Sequence, residues 1–217
     1  MKRPANLSND SSAETLLSHP RVQHFPNPWL ELFIVRDFLP LDACAAVVEL
    51  IDRERRPSTV ADPNGDPYFR TSESCDLATA ASPLIPALDA VLSAFSGIDP
   101  VYGEPLQGQR YAIGQEFKPH TDYFEPTGPD FGKLCSVAGN RTWTFMIYLN
   151  EVEAGGATRF KAIDKTVQPE TGKLLAWNNR RPDGCLNPAT LHQGMKVRKG
   201  LKYVITKWYR ERPLGFT

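Results

Sequence analysis

The chain has no excess of charge of either sign, since 25 Lys and Arg balance 25 Asp and Glu over 217 residues. Without a basic field to hold polyanions, a small molecule, peptide or protein is the expected partner, and a nucleic acid or an anionic membrane is not. No window approaches the roughly 20 apolar residues of a membrane span. The first residues, Met1-Lys2-Arg3-Pro4-Ala5-Asn6, start basic but reach no apolar run of the kind a secretion signal needs. These absences predict a cytoplasmic protein. Cysteine is scarce: Cys44, Cys75, Cys135 and Cys185 lie far apart with no Cys-x-x-Cys pair, which argues against a zinc knuckle or dithiol redox motif and for reduced, structural thiols.

What is present is enough apolar sequence, 41%, for one sizeable core and one principal domain. Residues 1–27 are polar and broken by Pro20 and Pro26, with Pro28 just beyond. They read as a poorly structured lead-in on which His19 and His24 are exposed. Residues 28–217 form the domain, with helical support over 28–104 and strands over 105–210. A short strand is expected across Leu30–Val35. Cys44, Val47, Val48 and Ile51 then recur at helical spacing behind Asp42, a plausible N-cap, and Pro57 stops that helix. Asp62 to Pro67 has strong turn chemistry, and Tyr68 to Ser72 suits a short strand. A second helix is predicted over Leu84–Phe95, with Leu84, Leu88, Val91, Leu92 and Phe95 on one face and Gly97 at its end.

Helices first and strands afterwards favour an α+β domain, its helices packed on one face of an antiparallel sheet or barrel. Strand parity sharpens this. Over Thr142–Leu149 one face carries Trp143, Phe145, Ile147 and Leu149, all apolar, and should meet the helices. The other carries Thr142, Thr144, Met146 and Tyr148 and should line a pocket. Over Leu201–Tyr209 the same test groups Lys202, Val204, Thr206 and Trp208, and a lysine on an inward face needs a partner, which an anionic ligand could supply.

Two short stretches carry chemistry. In Lys118-Pro119-His120-Thr121-Asp122, residues two apart on a strand share a face, so His120 and Asp122 present an imidazole and a carboxylate side by side. His192 is the best third ligand. Two His and one carboxylate leave the opposite positions of a metal open, an arrangement typical of non-haem Fe(II) oxygenases.

Taken in order, Arg110-Tyr111-Ala112-Ile113-Gly114 through His120-Thr121-Asp122-Tyr123-Phe124, then Arg141 to Asn150, Gly155-Gly156-Ala157-Thr158-Arg159-Phe160, and His192 with Lys202 ten positions on, resemble the prolyl 4-hydroxylase branch of Fe(II)/2-oxoglutarate dioxygenases. Arg70-Thr71-Ser72 resembles a further element of that branch. The resemblance implies a double-stranded β-helix, or jelly roll, holding Fe(II) on His120, Asp122 and His192. It implies that Lys202 pairs with the distal carboxylate of 2-oxoglutarate, that Tyr111, Tyr148 and Thr158 line that pocket, and that Trp208 is an aromatic near its floor. It also implies hydroxylation of a C–H bond, most simply of a prolyl residue in a peptide or protein, with O2 consumed and succinate and CO2 released, and ascorbate as a candidate helper. Arg110 and Arg159 are weaker candidate substrate contacts.

Other readings stay open on sequence grounds. The substrate could be another side chain, a free amino acid or a small metabolite. A cupin-like metal hydrolase would use the same ligands without needing Lys202, and a 2-oxoglutarate-binding sensor would need no full ligand set. Glu125 to Asn140, a long glycine- and proline-containing stretch, suits either a lid or a surface insertion, and Asp62 to Tyr68 suits either a mobile substrate-covering loop or an ordinary turn.

Overall fold

The computed structural model describes residues 7–59, 66 and 68–215, with residues 7–11 by backbone only. Its elements in chain order are α1 (Leu7–Ser18), β1 (Gln23–His24), β2 (Leu32–Val35), α2 (Leu41–Glu54), β3 (Arg56–Pro57), β4 (Glu73–Asp76) and α3 (Leu84–Ser96). There follow β5 (Gln107–Tyr111), β6 (Phe117–His120), α4 (Phe131–Cys135), β7 (Arg141–Tyr148), β8 (Ala154–Gly155), β9 (Thr158–Phe160) and β10 (Lys165–Val167). The last four are β11 (Leu174–Asn178), β12 (His192–Gly194), β13 (Val197–Lys199) and β14 (Lys202–Arg210).

An eight-stranded sheet runs β1-β2-β11-β7-β14-β5-β4-β3 and a four-stranded sheet runs β10-β9-β12-β6. Every neighbouring pair in both is antiparallel. The large sheet has two buried faces, and the alternation of β7 and β14 separates them. Trp143, Phe145, Ile147, Tyr203, Ile205 and Tyr209 pack on one side with Cys44, Val47, Leu50 and Ile51 of α2, Leu88 and Leu92 of α3, and Leu16 of α1. Tyr111, Met146, Tyr148, Trp177 and Val204 face the other way, against Phe160 and Val167 of the small sheet. Two antiparallel layers with helices on the outer face of one form the expected mixed architecture.

Several local expectations are corrected. Within the supposed lead-in, Leu7–Ser18 is a helix, because tertiary packing overrides weak propensity: Ser12 and Leu16 are buried and α1 lies on α3. His19 is half-buried, its ring stacked on Phe95 at 4.7 Å, whereas His24 is exposed as expected. The region before residue 105 is also less purely helical than expected, since β1 to β4 join the large sheet. Asp42 does not cap α2. The first turn already closes between Cys44 N–H and the Pro40 carbonyl, leaving Asp42 inside it to accept from Ala43 N–H. Val91 is 51% exposed, and Ile85, Leu88 and Leu92 make the buried face of α3 instead. The strand expected at Tyr68–Ser72 lies later, at β4, with Arg70 making only an isolated bridge to Phe117. Three of the cysteines are buried, but Cys185 is exposed. Of the segment 62–68, Asp62 to Gly65 and Pro67 lie outside the described residues. No helix among the described residues is long and apolar enough to cross a membrane.

Candidate active site

Antiparallel pairing of β12 with β6 places His192 directly opposite His120. Asp122 lies two residues beyond the end of β6, in a bend rather than on the strand, so strand parity is not what aims it. Instead its carbonyl accepts from Arg141 at 3.3 Å and its carboxylate Oδ2 accepts from Thr144 Oγ1 at 2.8 Å. The result is one cluster: a ligand atom from each of His120, Asp122 and His192 lies within 4.8 Å of the others.

The donor set fits a divalent metal. Nδ1 of His120 is 2.7 Å from the Lys118 carbonyl and Nδ1 of His192 is 2.9 Å from the Thr190 carbonyl, so each ring is steered to offer Nε2. Stacking fixes the planes, with Phe117 at 3.4 Å from the His120 centroid and Trp177 edge-on to His192 at 4.9 Å. Burial, reinforced by the neighbouring His192 ring, lowers His120 to a pKa of about 3, which keeps the imidazole in its neutral, ligating form. Burial opposes ionisation of Asp122, but its surroundings, the Arg141 guanidinium and the Thr144 hydroxyl among them, outweigh it and hold the carboxyl below its ordinary value. Two imidazoles and one carboxylate are the donors the sequence pattern called for.

Next to this cluster a cavity of about 30 Å³ is lined by Gln109, Tyr111, Thr158, Lys202, Thr206 and Trp208, among others. Lys202 opens β14 opposite Tyr111, and its ammonium is 5.0 Å from the Tyr111 ring and 5.5 Å from the Tyr148 ring. It is 2% exposed, and among the described residues no carboxylate pairs with it. Burial lowers it to a pKa of about 7. A buried amine facing two aromatic rings and several hydroxyls suits the far carboxylate of a dicarboxylic oxo acid, which would restore the positive charge by pairing.

The other pocket residues divide. Tyr111 and Thr158 line the cavity, and the Tyr111 hydroxyl donates to Gln109 Oε1 at 2.8 Å. The Tyr148 hydroxyl is directed to Thr158 Oγ1 at 2.7 Å and is not among the lining groups, so it holds Thr158 in place. Trp208 lines the inner cavity as well. It stands where the inner cavity meets a wider cleft of about 380 Å³, beneath the Arg141 guanidinium at 3.9 Å. Gly155, with φ of 78°, keeps the turn before β9 tight, because any β-carbon there would collide with the Lys196 carbonyl.

The expected arginine contacts are overturned. Arg110 points to the helix side of the sheet, bonded to Glu73, Tyr203 and Asp52. Arg159 faces away from Thr158 and meets Asp164. The arginines of the cleft are Arg70, over the Phe117 ring, and Arg141, whose fork is gripped by Glu104 through two bonds of 2.7 Å. Glu104, Gln109 and Asn179 carry no sequence signal, whereas Thr144 was already on the pocket-facing side by parity. Part of Glu125–Asn140 is the short helix α4, and Glu125, Gly128, Asp130, Phe131 and Leu134 form a wall of the cleft.

Residues 106–210 match the model of the 2OG-Fe(II) oxygenase superfamily. The chain is 32% identical over 194 residues to prolyl 4-hydroxylase subunit alpha-1 of Gallus gallus, covering 87% of this chain and 37% of that one. It therefore spans little more than a third of that relative's length. It is 31% identical over 212 residues to probable prolyl 4-hydroxylase 10 of Arabidopsis thaliana, covering 84% of this chain and 72% of the plant protein. Its fold is similar to the viral collagen prolyl hydroxylase of Paramecium Bursaria Chlorella virus-1 solved as a 2OG complex, with TM-score 0.63, 23% identity, and 82% and 95% of the two chains covered. Correspondence over 84% of this chain and 72% of the plant relative, on top of the clustered His120, Asp122 and His192, means that the chain belongs to the prolyl 4-hydroxylase family of 2OG-Fe(II) oxygenases, which use Fe(II) and 2-oxoglutarate.

Proposed function

We propose that this protein hydroxylates a prolyl residue in a peptide or protein, consuming O2 and 2-oxoglutarate and releasing succinate and CO2. The observation that carries the reading is the adjacency of two features: three metal-ligating side chains within 4.8 Å of one another, and Lys202 buried beside them with no carboxylate partner among the described residues. A metal hydrolase accounts for the first and leaves the second without purpose.

In this reading His120, Asp122 and His192 hold iron, which when bound supplies the O2 activation that no side chain can. Lys202 pairs with the distal carboxylate of 2-oxoglutarate, Thr158 and Tyr111 line its path, and Tyr148 fixes Thr158. The cleft beyond Trp208, walled by Phe69, Tyr123, Phe124 and Phe131, receives the substrate. Aromatic walls favour the ring and extended backbone of proline-containing segments. The segment Glu125–Asn140 serves as a lid over that cleft, excluding water. The two layers of antiparallel strands are the halves of a jelly roll. Ascorbate as a reductant for over-oxidised iron, and a cytoplasmic location, complete the proposal.

The experiment is to incubate Fe(II)-loaded protein with 2-oxoglutarate and a panel of proline-containing peptides. Expected are succinate in step with peptide oxidation and a mass gain of one oxygen atom localised on proline. Succinate formation with oxygen inserted elsewhere would redirect the substrate assignment, and absence of succinate under every condition would end it.

A further inference from the structure

Asp122 is held from behind by a chain of two buried groups. Thr144 Oγ1 lies 2.8 Å from Asp122 Oδ2, and Asn179 Nδ2 lies 3.0 Å from the same hydroxyl. Thr144 and Asn179 are 0% exposed, and Asp122 is 6% exposed. The direction of these bonds follows from elementary inventory. An ionised carboxylate only accepts, so the single Thr144 proton must point at Asp122. The hydroxyl can then only accept from its other neighbour, which forces Asn179 to turn its amide nitrogen towards it. The cost is visible at the far end, where Asn179 Oδ1 is buried with no hydrogen-bond partner among the described residues. The Asn179 backbone is pinned at both ends, its N–H to the Thr142 carbonyl at 2.7 Å and its carbonyl to Asn187 N–H at 2.9 Å.

We propose that Thr144 and Asn179 are positioning residues of the metal centre. Their one-way relay occupies Asp122 Oδ2 and leaves Oδ1, the oxygen 3.9 Å from His120 Nε2, as the one turned to the metal. Neither residue touches the metal. Both set how tightly the carboxylate binds it, since partners that orient a ligand commonly contribute 10- to 100-fold in affinity. This inference rests on the metal-centre reading of His120, Asp122 and His192.

The test uses Co(II) as probe, titrated into metal-free protein and followed by calorimetry and by the Co(II) absorption spectrum, with thermal melting of each metal-free variant alongside. Thr144→Val keeps the shape and removes the donor. Asn179→Leu keeps the size and cannot donate. Each is expected to weaken Co(II) binding by about 10- to 100-fold and to alter the spectrum, while Thr144→Ser, which restores the hydroxyl, binds as the native protein does. Native Co(II) affinity and spectrum in either isosteric variant would overturn the relay. So would a Thr144→Ser variant as weak as Thr144→Val, since packing would then be the cause. A native protein that binds no Co(II) overturns the metal centre itself, an outcome distinct from the others.

Discussion

The two faces of strands β7 and β14 are equally buried and chemically unlike. On the helix side, Trp143, Phe145, Ile147, Tyr203 and Ile205 sit among leucines, valines and isoleucines of α1 to α3. On the inner side, one residue along in each case, are Thr144, Met146, Tyr148, Lys202 and Thr206, each 7% exposed or less. Burial alone therefore does not distinguish a core from an active site. What distinguishes them is an ionisable group buried without a counter-charge: on the helix side Trp143, Phe145, Ile147, Tyr203 and Ile205 are aromatic or aliphatic, while on the inner face Lys202 has no carboxylate partner among the described residues, and that is the mark of a binding site.

The sharpest way to break this contrast is at the metal cluster. Asp122→Ala or His192→Ala should reduce succinate formation to background while the protein still unfolds cooperatively, because the helix-side core is untouched. Loss of folding instead would make the cluster structural. On the opposite face, Trp143→Ala should cost about 3–5 kcal/mol of stability by denaturant titration. A cost near zero would mean that this face is not the stabilising one.

Lys202→Met tests the comparison through charge. Burial lowers the Lys202 pKa from 10.5 to about 7, so between those values the unfolded chain keeps a proton that the native chain has released. Stability of the ligand-free protein then rises with pH across that window, and the full penalty is present below it. Lys202→Met should accordingly be more stable than the native protein near pH 7, with the gap closing towards the top of the window. Its 2-oxoglutarate requirement should rise by about 10-fold or more, the equivalent of one charge-assisted hydrogen bond. Unchanged cosubstrate dependence would remove Lys202 from the pocket. The smallest effect is expected at the surface: Lys199→Ala breaks a pair with Glu153 in which both side chains are more than half exposed, and should change stability by less than about 0.5 kcal/mol.

Much of the site could be read from local pattern. Alternation sorted β7 and β14 into their two faces, and His120, Asp122, His192 and Lys202 stood out because their chemistry is unusual on strands. The reasons were sometimes wrong even where the residues were right. Asp122 belongs to the cluster although it is off the strand, held there by Thr144 and Arg141. Arg110 and Arg159 misled because a long side chain next to a pocket residue points the other way on a pleated strand. Helix α1 was missed since its stability comes from α3 rather than from its own composition.

The amino-acid sequence by itself determined which donors exist and, for residues on the strands, which face they occupy, because both follow from residue type and a period of two. Only the tertiary structure decided that His192 pairs opposite His120, that Glu104 grips Arg141 and that Asn179 reaches Thr144 from 35 positions away. Those contacts depend on strand register and loop closure between distant segments, and such quantities have no expression in any local stretch of sequence.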